Sequence, residues 1–303
     1  MSKPHRFFYF WGNLVQMKNF ILFCFITAIS TIAQAQIALQ VSEEETKEHI
    51  EFASILLPEH KKSFVADEHG KFLIDTNKYK LPLKVIVKQF GFEPKEITLQ
   101  NATNLYNIYL NPISELLREV IIPPKNAKIK ERTFGRTNEN IGKMKGESNY
   151  TTHNQSQIES NEEFGMIINT NNNFKKIKKV HWHINEINFQ NAFFGLQFYE
   201  VQNGKPSKKI PHPLINFVLT NRNTGWNTID IDELDVYINK NKKIAAIIKV
   251  QKIEFKKGNN NGSYVLNIGL TLGNSTVGRY SQYEEWSKVP ASFPFYITVD
   301  SYE

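Results

Sequence analysis

A chain of 303 residues with 41% hydrophobic and 13% aromatic side chains has material for about two domains of ordinary size. A mean hydropathy of −0.41 excludes a polytopic helical membrane protein, 22 Phe and 12 Tyr exclude a chain disordered throughout, and a single Cys excludes a disulfide framework or a cysteine-based metal site. The formal charge of +7 invites nucleic acid, but only 6 of the 37 basic residues are Arg, and the Lys pairs are scattered beside strands rather than gathered in one arm. They read as solvated strand edges, so no nucleic-acid partner is expected.

The first element is an export signal over residues 1–35. Phe20 to Ala33 is an apolar run too short for a spanning helix, Lys18 precedes it, and Ala33-Gln34-Ala35 supplies a small-x-small cleavage site before Gln36. Met17 makes a more ordinary start for such a signal than Met1. Cys24 follows Phe23 deep in the apolar run, which is unlike a lipid-modified cysteine. The alternative is an uncleaved anchor formed by residues 20–33, the one membrane contact expected. Either way the protein is predicted to be exported, to the periplasm or the outer-membrane surface.

Residues 36–123 show short β-rich runs separated by turn signals, the pattern of a sandwich. Ile37 to Val41 alternates; Ile50 to Leu57 is a strand closed by Pro58; Lys71 to Ile74 follows the turn Asp67-Glu-His-Gly70. Leu83 to Val87, Lys95 to Leu99 and Tyr106 to Leu110 complete the set. Gly70 is expected to supply a positive φ in a hairpin turn, and Phe52, Ile55, Phe72, Val85 and Val87 to fill the core.

The order Ile50-x-Phe52-Ala53-Ser54-Ile55, Ala66-Asp67-x-x-Gly70-x-Phe72, Gly91-Phe92, Leu110-x-Pro112 and Leu117-x-Glu119-Val120-Ile121-Ile122 resembles the carboxypeptidase-like regulatory domain, a transthyretin-like module common in exported Gram-negative envelope proteins. Departures are Ala66 for a usual Thr, Phe92 for Tyr and Arg118 for Asp. The resemblance implies a seven-stranded prealbumin-like sandwich without catalysis of its own, placed in other proteins ahead of outer-membrane receptor barrels, peptidases and other domains.

Pro123-Pro124 ends this domain. Residues 124–163 are polar and aperiodic and read as a linker, although Arg132-Thr-Phe-Gly could be a strand of the second domain. From 164 to 303 the β pattern resumes. Gly165 to Asn169, Ile177 to Ile184, Phe194 to Val201, Ile229 to Asp232, Leu234 to Ile238, Lys243 to Val250, Tyr264 to Leu272 and Phe295 to Val299 read as strands, with Gly204-Lys-Pro206 a turn and Lys243 to Val250 buried on both faces. The fold class is therefore all-β, a prealbumin-like sandwich followed by a larger jelly-roll-like β-sandwich. The tandem is similar to a group of exported envelope proteins of unassigned function.

Reactive constellations are scarce. His183-Ile-Asn-Glu186 spells HxxE, yet on a strand residues three apart face opposite sides. His181 and His183 share a strand face but lack a nearby third ligand. Asp230, Asp232 and Asp235 alternate with apolar residues and read as a solvated strand face rather than a calcium or glycosidase site. No phosphate-binding glycine loop, GxSxG elbow or Cys/His pair occurs. No catalytic, metal or cofactor residues are assigned, and no enzyme is expected. Trp226 and Trp286, near turns, are the residues singled out: as plugs for the sandwich ends, or as platforms for carbohydrate stacking. The chain thus reads as a non-catalytic envelope protein, a binding or scaffolding module for an envelope protein or a glycan. The alternative is an accessory carbohydrate-binding protein or a degenerate hydrolase component.

Overall fold

The computed structural model describes residues 36–100, 105–113, 127–139, 162–212, 215–239, 242–255, 266–267 and 271–303. The signal at 1–35, the motif from Leu117 to Ile122, most of Tyr264 to Leu272 and part of the polar segment lie outside the described residues. Among those described, no helix is long and apolar enough to cross a membrane.

The first sandwich holds β1 (Gln36–Glu43), β2 (Ser54–Leu57), β3 (Lys62–Val65), β4 (Lys71–Asp75), β5 (Leu83–Lys88), β6 (Lys95–Leu99) and β7 (Leu105–Leu110). They form a three-stranded sheet, β4-β1-β7, and a four-stranded sheet, β3-β2-β5-β6. β1 runs antiparallel to β4 and parallel to β7. Alternation decides the faces: Ile37, Leu39 and Val41 of β1 meet Ile55, Leu57, Val85 and Val87 of the other sheet, and all are fully buried. Each contributes about 1.5–3 kcal/mol of transfer free energy.

Three expectations need correction. The strand read from Ile50 begins only at Ser54, because Phe52 takes φ +53 in a turn and its N–H donates to the Asp67 carbonyl. That left-handed residue sends the Phe52 ring out of the core cluster; the ring is buried instead against Phe193 of the second sandwich. Gly70 does have φ +70, but it does not close a hairpin. It carries the chain between sheets, since β3 and β4 belong to different ones. Asp67 Oδ1 accepts from the N–H groups of His69 and Lys71, holding the turn. A Cβ on Gly70 would lie 2.5 Å from the Val41 carbonyl oxygen, so the approach itself demands glycine.

The second sandwich holds β8 (Ile129–Arg136), β9 (Glu163–Asn169), β10 (Phe174–Ile184), β11 (Glu186–Ile187), β12 (Phe189–Gln202), β13 (Lys205–Lys209), β14 (Ile215–Thr220), β15 (Gly225–Asp230), β16 (Val236–Ile238), β17 (Lys243–Phe255), β18 (Leu266–Asn267), β19 (Thr271–Arg279), β20 (Ser287–Ser292) and β21 (Phe295–Tyr302). A five-stranded sheet, β15-β10-β21-β8 with β16 also on β10, packs against a seven-stranded one, β13-β12-β17-β9-β19-β20 with β14 also on β12; β11 and β18 pair separately. Trp182, Phe189, Phe194, Phe198, Phe293 and Phe295 fill the space between the two larger sheets.

Part of the span read as a linker is therefore an edge strand: β8 pairs with β21 from Ile129↔Tyr302 to Arg136↔Phe295. Its five exposed or half-exposed polar residues hid it, because an edge strand facing water on one side carries little apolar signal. Lys130 and Arg132 pin it by ion pairs of 2.8 Å to Glu303. Asp232–Leu234 is a 3₁₀ turn rather than strand, with Asp235 at φ +50.

The two sandwiches are docked. β17 is buried on both faces because one face looks into its own core, while on the other Lys249 and Lys252 meet the first sandwich and Ala245 and Ile247 pack with Tyr199 and Val277. Contacts across the boundary are Phe52 on Phe193, Lys249 to Ser54, Lys252 to Glu68, and Phe90 stacked on His212 with centroids 5.4 Å apart.

Candidate functional site

Two places gather functional chemistry: the outer face of the five-stranded sheet and the cavity between the sandwiches. On the sheet face, β10 turns Val180, Trp182 and Ile184 inward, so His181 and His183 point outward. Register places His181 between Thr228 of β15 and Tyr296 of β21, and His183 beside Trp226. The His181 and Tyr296 rings stack at 4.1 Å and 11°. Trp226 stands edge-on to His183 at 5.2 Å and to Tyr296 at 5.1 Å, and its indole N–H donates to Glu139. The result is a half-exposed patch of four rings with a carboxylate at its edge.

His181 holds Thr228 Oγ1 at 2.9 Å through Nδ1 and Thr298 Oγ1 at 3.0 Å through Nε2. Desolvation, with Lys179 adding repulsion, pushes its pKa down, so the ring is neutral at physiological pH. Both nitrogens are committed, which removes His181 as a ready metal ligand. Glu186 is exposed on β11, beyond a bend at Asn185. Among the described residues no three His, Cys, Asp or Glu side chains converge as a metal-holding group.

The aspartates are held by lysines. Lys176 reaches Asp232 and Asp235 at 2.9 Å each, and Lys179 reaches Asp230 at 3.5 Å. Burial opposes the Lys176 charge, but the two carboxylates win and raise its pKa.

Trp286 differs from Trp226. It lies under the Arg279 guanidinium, 4.3 Å from ring centroid, and edge-on to buried Tyr199 at 5.9 Å. It packs on the outer cluster of the seven-stranded sheet as part of the structure.

The cavity, about 460 Å³, opens between the four-stranded sheet of the first sandwich and the seven-stranded sheet of the second. Its floor is one row of the larger sheet. Asn216, Gly195, Lys249, Glu163 and Arg279 stand abreast on β14, β12, β17, β9 and β19. Arg279 Nε donates to the buried Glu163 carboxylate at 2.6 Å. Lys249 Nζ donates across the boundary to Ser54 Oγ at 2.7 Å. Desolvation lowers the Lys249 pKa to about 8, with Lys209 and Arg279 acting in the same direction against Glu163. Lys209, at the mouth, is lowered by desolvation, with Arg279 and Lys88 adding repulsion against the attraction of Glu163. At neutral pH Lys249 is therefore mostly protonated and donates a hydrogen bond to Ser54 Oγ, so it does not serve the serine as a base. Sequence reasoning missed this place altogether. The one signal was the both-sided burial of β17, which implied a cover for Lys249.

The geometry of the first sandwich, two sheets of three and four strands with Gly70 crossing between them, agrees with the comparison against known families. Residues 40–122 match the CarboxypepD_reg-like domain family.

No curated protein matches the chain. Solved structures similar to it include the cysteine protease and lectin-like domains of Cwp84, a surface layer associated protein of Clostridium difficile, at 9% identity over 79% of this chain and 46% of that one, TM-score 0.35. A second structure of the clostridial protease, after propeptide cleavage, is 12% identical over 79% of this chain and 51% of that one, TM-score 0.37. A DUF3823 family protein from Bacteroides ovatus is 9% identical over 84% and 98%, TM-score 0.20. The chain spans about half the length of the two Cwp84 structures, 46% and 51%.

In this chain the CarboxypepD_reg-like domain forms one wall of the cavity. Its Ser54 opens β2, and its Lys88, Phe90 and Phe92 come from the end of β5 and the turn after it. Phe90 is held by His212, whose Nε2 accepts the Phe198 N–H at 3.2 Å, so that the ring is locked before Phe90 stacks on it.

Proposed function

We propose that the chain is a non-catalytic, exported binding module of the cell envelope, acting in the periplasm or at the outer-membrane surface, and that the patch around Trp226 takes a glycan. The observation that carries this reading is the half-exposed ring cluster of Trp226, His183, Tyr296 and His181 on an otherwise polar sheet face. Aromatic rings offer apolar, polarisable surface to the C–H faces of a sugar, while neighbouring polar groups orient it. Glu139 stands beside the indole and accepts its N–H, and Thr228 lies on the same face, bonded to His181.

A non-catalytic role is supported by the state of the reactive groups: His181 has both nitrogens occupied, the aspartates near β15 are held by lysines, and Lys249 donates to Ser54. Export is supported by the apolar run before Ala33-Gln34-Ala35.

The test is a glycan array read with the chain and with Trp226→Ala. Binding that drops roughly tenfold or more in the variant is expected, the scale of a lost central aromatic contact. Silence across the array overturns the glycan assignment, and hydrolysis of a peptide or glycan panel overturns the non-catalytic one.

A further inference from the structure

Three lysines face the cavity between the sandwiches: Lys88 and Lys209 at its mouth and Lys249 on its floor. Among the described residues none of them has a carboxylate within ion-pair distance. The acid of the lining, Glu163, is already held by Arg279. Like charges gathered in a partly desolvated space repel one another; the Ser54 hydroxyl answers Lys249, and the Phe90 ring at 5.6 Å answers Lys209, but neither brings a negative charge. Gln251 adds a second, independent demand. It is 4% exposed, its Nε2 donates to Asn216 Oδ1 at 2.9 Å, and its Oε1 is buried without a donor. Buried acceptors are nearly always paired.

Together these groups describe a ligand. It is anionic, to answer the lysines; it carries a hydroxyl, to answer Gln251 Oε1; and its carbon skeleton lies against Phe90, Phe92, Leu196 and Ile247. The volume of about 460 Å³ suits a small molecule. Gly195 keeps the floor open, since a Cβ there would come 2.9 Å from Gln251 Nε2.

We propose that the cavity between the CarboxypepD_reg-like domain and the second sandwich binds a small organic acid bearing hydroxyl groups, its carboxylate held by Lys249 and Lys209 and a hydroxyl donated to Gln251. Because residues of both sandwiches line it, the bound acid ties the two together.

Calorimetric titration of the full chain with glucuronate, octanoate and inorganic phosphate tests this. Glucuronate is expected to bind, with affinity falling roughly tenfold to hundredfold in Lys249→Met and about three- to tenfold in Lys209→Gln, the scale of a lost charged hydrogen bond. Lys209 is exposed at the mouth, so its variant tests the site even if Lys249→Met fails to fold. Trp226→Ala is expected to leave glucuronate binding unchanged, which separates this site from the sheet-face reading. Absence of glucuronate binding, equal affinity in chain and both variants, or binding of octanoate or phosphate alone overturns the proposal.

Discussion

Phe52 and Phe193 meet across the boundary between the two sandwiches, ring centroids 5.7 Å apart and planes tilted by 38°. Phe52 reaches this position only through its left-handed backbone. A non-glycine residue at positive φ costs of order 1–3 kcal/mol and persists where surrounding contacts hold it. The contact therefore couples a local backbone choice in one domain to the docking of the other. Lys252 reinforces it, with its Nζ 5.2 Å from the Phe193 ring centroid and 2.9 Å from Glu68.

Phe193→Ala should weaken this coupling by about 1–3 kcal/mol, since the ring is half-buried and both aromatic and cationic contacts are lost. Urea unfolding should show a lower midpoint, and limited proteolysis should release the first sandwich earlier. An unchanged midpoint would mean that the docking does not depend on the pair.

Stability should rise between about pH 8 and 10. Burial holds Lys249 and Lys175 near 8, below the ordinary lysine value, with Lys249 also repelled by Lys209 and Arg279. At pH 7 these lysines are largely protonated in both folded and unfolded chains. Between the lowered folded value and the unfolded one the unfolded chain binds more protons, so folding is favoured as pH rises. Tyr199, pushed up by burial, reverses the trend once unfolded tyrosines ionise above about pH 10. Urea midpoints at pH 7.5 and 9.5 check this, and Lys249→Met should flatten the slope.

Two glycines separate backbone strain from crowding. Gly70 (φ +70) has carbonyl oxygens at 2.5 and 2.9 Å from any Cβ, whereas Gly225 (φ +87) has nothing within 4 Å. Gly225→Ala should lower stability by about 1 kcal/mol from φ alone, and Gly70→Ala by several. Thermal melting of the two variants decides; equal losses would show that φ, and not contact, dominates at Gly70.

The tryptophans should divide between stability and surface. Trp286→Ala removes the plate between Arg279 and Tyr199 and should cost about 2–4 kcal/mol. Trp226→Ala, at the open sheet face, should cost about 1 kcal/mol or less. Comparison of their melting curves is sufficient, and a reversed order would move the structural role to Trp226.

Much of the strand pattern is legible in the sequence. Lys95–Leu99 coincides with its expected bounds, and β1, β5, β10 and β12 differ at their ends. β3 escaped because Lys62-Ser-Phe-Val is short and follows a 3₁₀ turn without a glycine or other strong turn signal. β14 turns Ile215, Phe217 and Leu219 to one face and was legible but passed over, whereas β20 has only Val289 and Ala291 to mark it. The two tryptophans were singled out from their position near turns, but nothing local separated one packed under Arg279 from one on an open face.

Alternation along each strand determined which side chains face inward, because that geometry involves only neighbouring residues. The strand pattern set the all-β class and the double burial of β17, while the seven-stranded count of the first sandwich followed from the family resemblance. Which strands stand side by side, and what covers an outer face, depends on pairings between residues far apart in the chain. Lys249 meets Ser54 across 195 positions; Lys252 meets Glu68 across 184. Those contacts form only when two completed sheets pack against each other, and so the cavity and its unanswered positive charge belong to the tertiary structure alone.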